Sequence, residues 1–386
     1  METLALQDLI LDKLNTLIVV LNDDGNIEFV SQSAQDMLGY KPSDLLGNSW
    51  WEATRFSKPE GVEIKNKIMD LFKQHANKVH RFEHLLKTSR GSQKWFSWNV
   101  SYMSERQLVG IGIDITEKKV KEKELQTKNN LLTEKNKEIT DSIRYAKRIQ
   151  SNILQSQSYI AKIFANNFVF YKPKDILSGD FYFFHEDDLY KYVIVMDCTG
   201  HGVPGAMMSM VANSIIKEVL LNKKVRSTSE MLYELDKELF RNINSYNDEV
   251  SNDGMDASIV FINKRTGRMH YSGAMRSAII MRDKNVIELK ANKYPLGFFN
   301  DIVKVFEEQV VLLQPGDELF LFSDGYADQF GGENNKKFNK RNFKELLFTV
   351  AEMPMNEQEG FLEYSLNNWK QDTEQTDDVL VVGIKF

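Results

Sequence analysis

At 386 residues the chain is too long for one hydrophobic core of ordinary size, so two or three folded units are expected. Apolar residues at 42% and charged residues at 27% are those of a globular protein, and a formal net charge of −6 leaves no basic face for nucleic acid. One cysteine, Cys198, excludes an intrachain disulfide framework and a cysteine-built zinc site.

In chain order, Met1–Asp12 carries Glu2, Asp8 and Asp12 and no basic run before an apolar one, so it does not read as a signal peptide. The most apolar run, Leu17–Leu21, is too short for a bilayer. The expectation is a cytoplasmic protein with no membrane or nucleic-acid partner. Thr16–Leu21 and Ile27–Val30 flank the turn Asp23-Asp24-Gly25-Asn26 and predict a hairpin. Short helical pieces follow at Ser33–Leu38 and Ser43–Leu46, then a helix over Glu60–His75. Strands are predicted at Val79–Thr88, Lys94–Tyr102 and Gln107–Ile113. This order, with "MLGY" at Met37–Tyr40, "LLG" at Leu45–Gly47 and Asp114-Ile115-Thr116 at the exit, resembles a PAS domain, assigned to residues 1–116. Its ligand stays unknown. The domain holds no cysteine for a flavin adduct, and His75, His80 and His84 fit solvent-exposed positions better than haem ligation.

Residues 117–164 contain neither glycine nor proline and predict continuous helix. Leu125, Leu132, Ile139, Ala146 and Ile153 repeat every seven residues, and Asn129, Asn136, Ile143 and Gln150 stand four after the first four of these. Read as d and a rows of a heptad, they predict a parallel coiled coil and a homodimer through residues 117–164, weak because the a row is polar. A solvated single helix is the competing reading.

Residues 165–386 alternate strands and helices and carry the chemistry. Asp180 opens the strand Phe181–Phe184, Asp197 closes Tyr190–Met196, Asp324 closes Glu318–Ser323, and Asp377 and Asp378 open Val379–Phe386. One aspartate beside a glycine at a strand end is ordinarily a turn residue. Antiparallel pairing, however, brings all these ends to the same edge of the sheet. Clustered carboxylates raise one another's pKa, and a divalent cation or a pair of them relieves the conflict. All-oxygen ligation points to Mg²⁺ or Mn²⁺. The glycines after Asp197 (Gly200, Gly202, Gly205) permit close backbone approach, and a helix starting near Ala206 is expected to bury Met207, Met210, Val211 and Ile215.

"SGDFYFF" at 178–184, "VMDCTGHGVPGA" at 195–206, "LQPGDELFLFSDG" at 313–325 and "TDDVLVVGIK" at 376–385 are similar, in order, to the SpoIIE-type branch of the PPM protein serine/threonine phosphatases. The resemblance implies an α+β fold of two packed antiparallel sheets flanked by helices. It implies a site for two Mn²⁺ or Mg²⁺ ions. Asp197 would bridge them, Asp180 and the Cys198 carbonyl would bind one, and Asp324 with Asp377 or Asp378 the other. Asp197 and Asp180 are the candidate catalytic residues. The implied reaction is hydrolysis of phosphoserine or phosphothreonine by metal-activated water, on a small STAS-type regulator of a partner-switching pathway. His201 either orients water or belongs to the tight turn.

"YSGAMRSAII" at 271–280 departs from the family's "NAGH"-like segment, and Arg276 there either reaches phosphate or, the preferred reading, is an ordinary surface arginine. Asp256, at the start of a strand, is either an additional carboxylate of the metal edge or, the preferred reading, not part of it, and Lys172 and Lys174 either meet phosphate or line a solvated edge. A histidine kinase is excluded because residues 117–164 contain no histidine. The alternative function is a catalytically weak module that binds a phosphorylated partner.

Overall fold

The computed structural model describes residues 16–73, 79–244, 253–297 and 303–386. Met1–Asp12 and His75, named above, lie outside them. The chain divides into two compact units, 1–136 and 137–386. The division falls within the helix predicted over 117–164.

In the first unit a five-stranded sheet is ordered β2-β1-β5-β4-β3, with β1 Thr16–Asn22, β2 Ile27–Val30, β3 His80–Lys87, β4 Gln93–Ser104 and β5 Gln107–Asp114. Leu17, Val19 and Leu21 alternate inward along β1, the period-two pattern of a sheet buried on one face. Asn22 Oδ1 accepts the N–H groups of Asp24 and Asn26, which closes the hairpin the sequence predicts. Helices α1 Ser33–Leu38, α2 Ser49–Ala53 and α3 Lys58–Lys73 lie between β2 and β3 in the chain. Trp50 of α2 meets Trp98 edge-on, with ring centroids 5.9 Å apart. The sequence reading missed α2 because it is one turn of mixed polarity. Arg55, 4% exposed, lines a cavity of about 40 Å³ among apolar side chains, and its Nε has no hydrogen-bond partner. No histidine is among the described residues lining that cavity.

The predicted unbroken helix over 117–164 is corrected to two. α4 runs Thr116–Ile153, and α5 Gln157–Ile163 starts anew where Ser156 Oγ accepts the Tyr159 N–H. Leu125, Leu132 and Ile139 are about 60% exposed, whereas Gln150, the last a-row residue, is 6% exposed inside the second unit. Gln150 therefore cannot serve a coil. Among the described residues no helix is long and apolar enough to cross a membrane.

The second unit packs two antiparallel five-stranded sheets. One has order β13-β10-β9-β8-β7 and the other β12-β11-β14-β17-β6. Their strands are β6 Asn167–Lys172, β7 Phe181–Glu186, β8 Tyr190–Cys198, β9 Met255–Asn263, β10 Arg268–Ala274, β11 Ala278–Arg282, β12 Asn285–Leu289, β13 Gln309–Leu312, β14 Glu318–Phe322 and β17 Val379–Lys385. A short hairpin, β15 Phe330–Gly331 with β16 Lys336–Lys337, lies apart from both. Val193 and Val195 of β8 pack in one cluster with Leu380 and Val382 of β17 between the sheets. Tyr192, Ile194 and Met196, on the opposite face, pack beneath α6 Gly202–Lys217 and α7 Thr228–Asn244. Phe320, Val379 and Val381 pack beneath α9 Lys340–Ala351 and α10 Met355–Lys370 on the far side, after the single turn α8 Gly325–Asp328. Both faces of the central strands are buried, as their near-continuous apolar sequence requires. The result is the expected α+β sandwich. The carboxylates do not share one sheet, however: Asp180 and Asp197 belong to the first sheet, and Asp324, Asp377 and Asp378 to the second.

Candidate metal centre

Asp197 has the same parity along β8 as Val193 and Val195, so it continues their inter-sheet face to the sheet's end. Antiparallel register sets Asp256 of β9 directly opposite Asp197. Like charges facing each other across a ladder are destabilising and call for a cation. Asp324 caps α8. A Cβ on Gly325 would collide with the Asp378 carbonyl, so only glycine lets this turn close against the start of β17.

Arg276 stands among these groups. Its Nη2 lies 2.8 Å from Asp197 Oδ2, 2.9 Å from Asp256 Oδ2 and 2.6 Å from Asp324 Oδ2. Its own carbonyl accepts the Tyr271 hydroxyl (2.6 Å) and the Ser258 hydroxyl (3.0 Å), which fixes the backbone from which it reaches. The reading of Arg276 as a surface residue is therefore corrected: its side chain is 13% exposed. Asp256 likewise enters the cluster. In the sequence Asp256 is one candidate for the carboxylate edge, but its contact with Arg276 is not legible there, because it depends on register between β8, β9 and the end of β10.

Burial, with repulsion from Asp324, Asp256 and Asp377, pushes the Asp197 carboxyl up to about 7 against the opposing pull of Arg276. Burial pushes Asp256 up to about 6. Asp180 is 2% exposed; burial and the charge of Asp197 raise it well above the ordinary carboxylate range. Its Oδ2 has no hydrogen-bond partner. Burial also raises Asp377. Both oxygens of Asp378 are committed to backbone: Oδ1 accepts the Lys174 N–H (2.8 Å) and Oδ2 the Gly179 N–H (2.7 Å). Asp377 uses one oxygen, on the Asp378 N–H (2.8 Å).

The Cys198 thiol is buried, and burial raises its pKa. A Cβ on Gly179 would stand 3.1 Å from the Cys198 carbonyl, so the missing side chain lets the 178–180 backbone close on the end of β8. α6 begins at Gly202, four residues before the expected start, with His201 at its N-cap. The buried face differs in part from the expected one: Ile215 is buried as expected, together with Ala206, Ser209, Ala212 and Ile216, while Met207 is 60% and Val211 36% exposed. His201 Nδ1 is 2.7 Å from Asp175 Oδ2 and its Nε2 3.1 Å from Lys174 Nζ. Lys172 pairs with Glu363 of α10 at 3.0 Å. Both lysines thus have protein partners.

Gln150 of α4 is another residue the sequence reading misplaced. Its Nε2 donates to the Ser178 carbonyl (2.6 Å) and Ser209 Oγ (3.0 Å), and its Oε1 accepts the Ser178 N–H (3.4 Å). Ser178 is two residues before Asp180.

Among the described residues no three His, Cys, Asp or Glu side chains already stand in an ion-holding arrangement. The carboxylates that come nearest to one are gathered on the Arg276 guanidinium. The orphaned Asp180 oxygen, the facing Asp197–Asp256 pair and an all-oxygen donor set nevertheless fit hard divalent cations.

The Stage II sporulation protein E (SpoIIE) family model matches residues 188–386, beginning after Asp180, and a PAS domain model matches residues 15–117. Among solved structures, the SiaA-PP2C domain of Pseudomonas aeruginosa superposes with a TM-score of 0.60 at 31% identity, covering 65% of this chain and 98% of that one. The PP2C phosphatase domain of SpoIIE from Bacillus subtilis with a fragment of its regulatory domain gives 0.46 at 13% identity, covering 85% and 89%. No curated protein matches the chain in sequence.

Proposed function

The chain belongs to the SpoIIE family and is a protein serine/threonine phosphatase; from that premise we propose that its carboxylate cluster hydrolyses phosphoserine and phosphothreonine with two Mn²⁺ or Mg²⁺ ions. The observation that carries the proposal is the convergence of Asp180, Asp197, Asp324 and Asp377 from two sheets, with a buried Asp180 oxygen left without a partner. Asp197 would hold both ions, Asp180 and the Cys198 carbonyl one, and Asp324 and Asp377 the other. Asp377 is preferred over Asp378 because both Asp378 oxygens already hold backbone N–H groups. When bound, the ions supply an activated water for attack on phosphorus and positive charge for the phosphate oxygens. Asp378 contributes by tying the Lys174 and Gly179 amides, which holds the segment bearing Asp180 against β17. His201, bonded to Asp175, orders the turn before α6 rather than acting on substrate. The buried Cys198 thiol is no nucleophile.

We further propose that the PAS domain regulates this activity through α4 in a cytoplasmic homodimer joined by the part of residues 117–164 in which Leu125, Leu132 and Ile139 stand exposed at seven-residue spacing. The substrate is a phosphorylated regulatory protein of STAS type, by family resemblance. Replacing Leu132 and Ile139 with aspartate should yield a monomer in light scattering; an unchanged mass removes the coiled coil from the account.

The guanidinium within the cluster favours a second reading, a catalytically weak module that binds a phosphorylated partner. Hydrolysis of p-nitrophenyl phosphate by the full chain, with Mn²⁺ and with EDTA, separates the two. Metal-dependent turnover supports the phosphatase, and bound Mn²⁺ without turnover supports the binding module.

A further inference from the structure

An arginine beside an aspartate ordinarily offers its planar fork, with two nitrogens to two oxygens of one carboxylate. Arg276 does not. A single atom, Nη2, lies within 2.9 Å of one oxygen from each of Asp197, Asp256 and Asp324, and these arrive from β8, β9 and the β14–α8 junction. One donor atom serving three carboxylates is the arrangement of a cation in a site, not of a surface ion pair. The arrangement also leaves the buried Arg276 Nε without a hydrogen-bond partner. One positive charge does not balance the carboxylates gathered around it, and Asp180 and Asp377 remain outside its reach.

We propose that Arg276 is a tethered cation of the metal centre that competes with divalent metal for Asp197 and Asp324, so that loading the site requires its guanidinium to leave. The proposal rests on the phosphatase reading, in which Asp197 and Asp324 are metal ligands. The backbone need not move, because the Arg276 carbonyl stays pinned by Tyr271 and Ser258. The side chain has a place to go: a cleft of about 70 Å³ opens beside it, lined by Ser277, Glu288, Ser323, Lys340, Phe343 and Lys344, where the guanidinium would share the Glu288 carboxylate with Lys344, which holds it at 2.8 Å. In the metal-free chain the arginine offsets the repulsion between Asp197 and Asp256. In the loaded chain the ions take that role.

The test is calorimetric titration of Mn²⁺ into the full chain without substrate, comparing wild type with Arg276→Ala, Arg276→Gln and Arg276→Lys, with melting in EDTA as a second readout. Removing a unit positive charge a few ångströms from the ion should tighten Mn²⁺ binding by at least about tenfold in the Ala and Gln variants. The Lys variant should stay near wild type. In EDTA the uncharged variants should melt below wild type, and saturating Mn²⁺ should remove that difference. The Gln variant keeps side-chain length and hydrogen bonding, so it carries the test if the Ala variant does not fold. Equal or weaker Mn²⁺ affinity in a folded, uncharged variant overturns the proposal, because a purely structural arginine would give that result. A wild-type chain that binds no Mn²⁺ overturns the phosphatase reading first, and this inference with it.

Discussion

Gln150→Ala tests how the end of α4 supports the candidate site. The residue is 6% exposed, and its amide spans the Ser178 carbonyl, the Ser178 N–H and Ser209 Oγ. Ser209 keeps a partner after truncation, because its hydroxyl donates to the Ala206 carbonyl. Ser178, fully buried, loses the Gln150 partner of both its backbone groups. Leaving buried polar groups unsatisfied costs about 1–3 kcal/mol each, so a loss of about 3 kcal/mol is expected after partial relaxation. Loosening Ser178 also frees Gly179 and Asp180, and displacement of a catalytic group by about 1 Å can cost on the order of a hundredfold in rate. Urea unfolding of the full chain should register the stability loss, and phosphate release at saturating Mn²⁺ should fall at least tenfold. A loss below about 1 kcal/mol with activity within twofold of wild type would refute the reasoning.

Asp378→Ala should cost about 2–3 kcal/mol in urea unfolding by orphaning the Lys174 and Gly179 amides, whereas Asp377→Ala should leave stability within about 1 kcal/mol and weaken Mn²⁺ binding in calorimetry. In EDTA, the folded state holds protons on Asp197 (up to about 7) and Asp256 (up to about 6) after the unfolded chain, with carboxyls near 3.8, has released them. Their contribution is therefore complete below that ordinary value and drains away as pH rises toward 7. The melting temperature of metal-free Asp197→Asn should accordingly gain on wild type from pH 5 to pH 7.5, and a constant difference would contradict this. Iodoacetamide should leave Cys198 unlabelled and activity unchanged in the native chain, and label it in urea; native labelling would contradict its burial.

The strand-end aspartates and the hairpins of the first unit were legible because period-two alternation and Gly/Asp turns are local signals. Asp180, Asp197, Asp324 and Asp377 are found at strand ends where the pattern placed them. What could not be read depends on contacts remote in sequence. Arg276 reads in sequence as a phosphate contact or a surface arginine, and its place among the carboxylates comes from the register that sets Asp256 against Asp197. Gln150 fitted a heptad by spacing but is claimed by Ser178, 28 residues on. The break after Ile153 arises from a Ser156 cap, which a search for glycine and proline passes over. Helical period alone does not say which face of α6 meets the sheet: Ala206, Ser209 and Ala212 do, and Met207 is exposed.

The central claim is most directly tested by release of inorganic phosphate from a phosphoserine peptide by the full chain with Mn²⁺, set against Asp197→Asn and against wild type in EDTA. The account predicts turnover by the wild type alone, with circular dichroism showing the variant folded. Turnover that survives EDTA or the loss of the Asp197 carboxylate would contradict it.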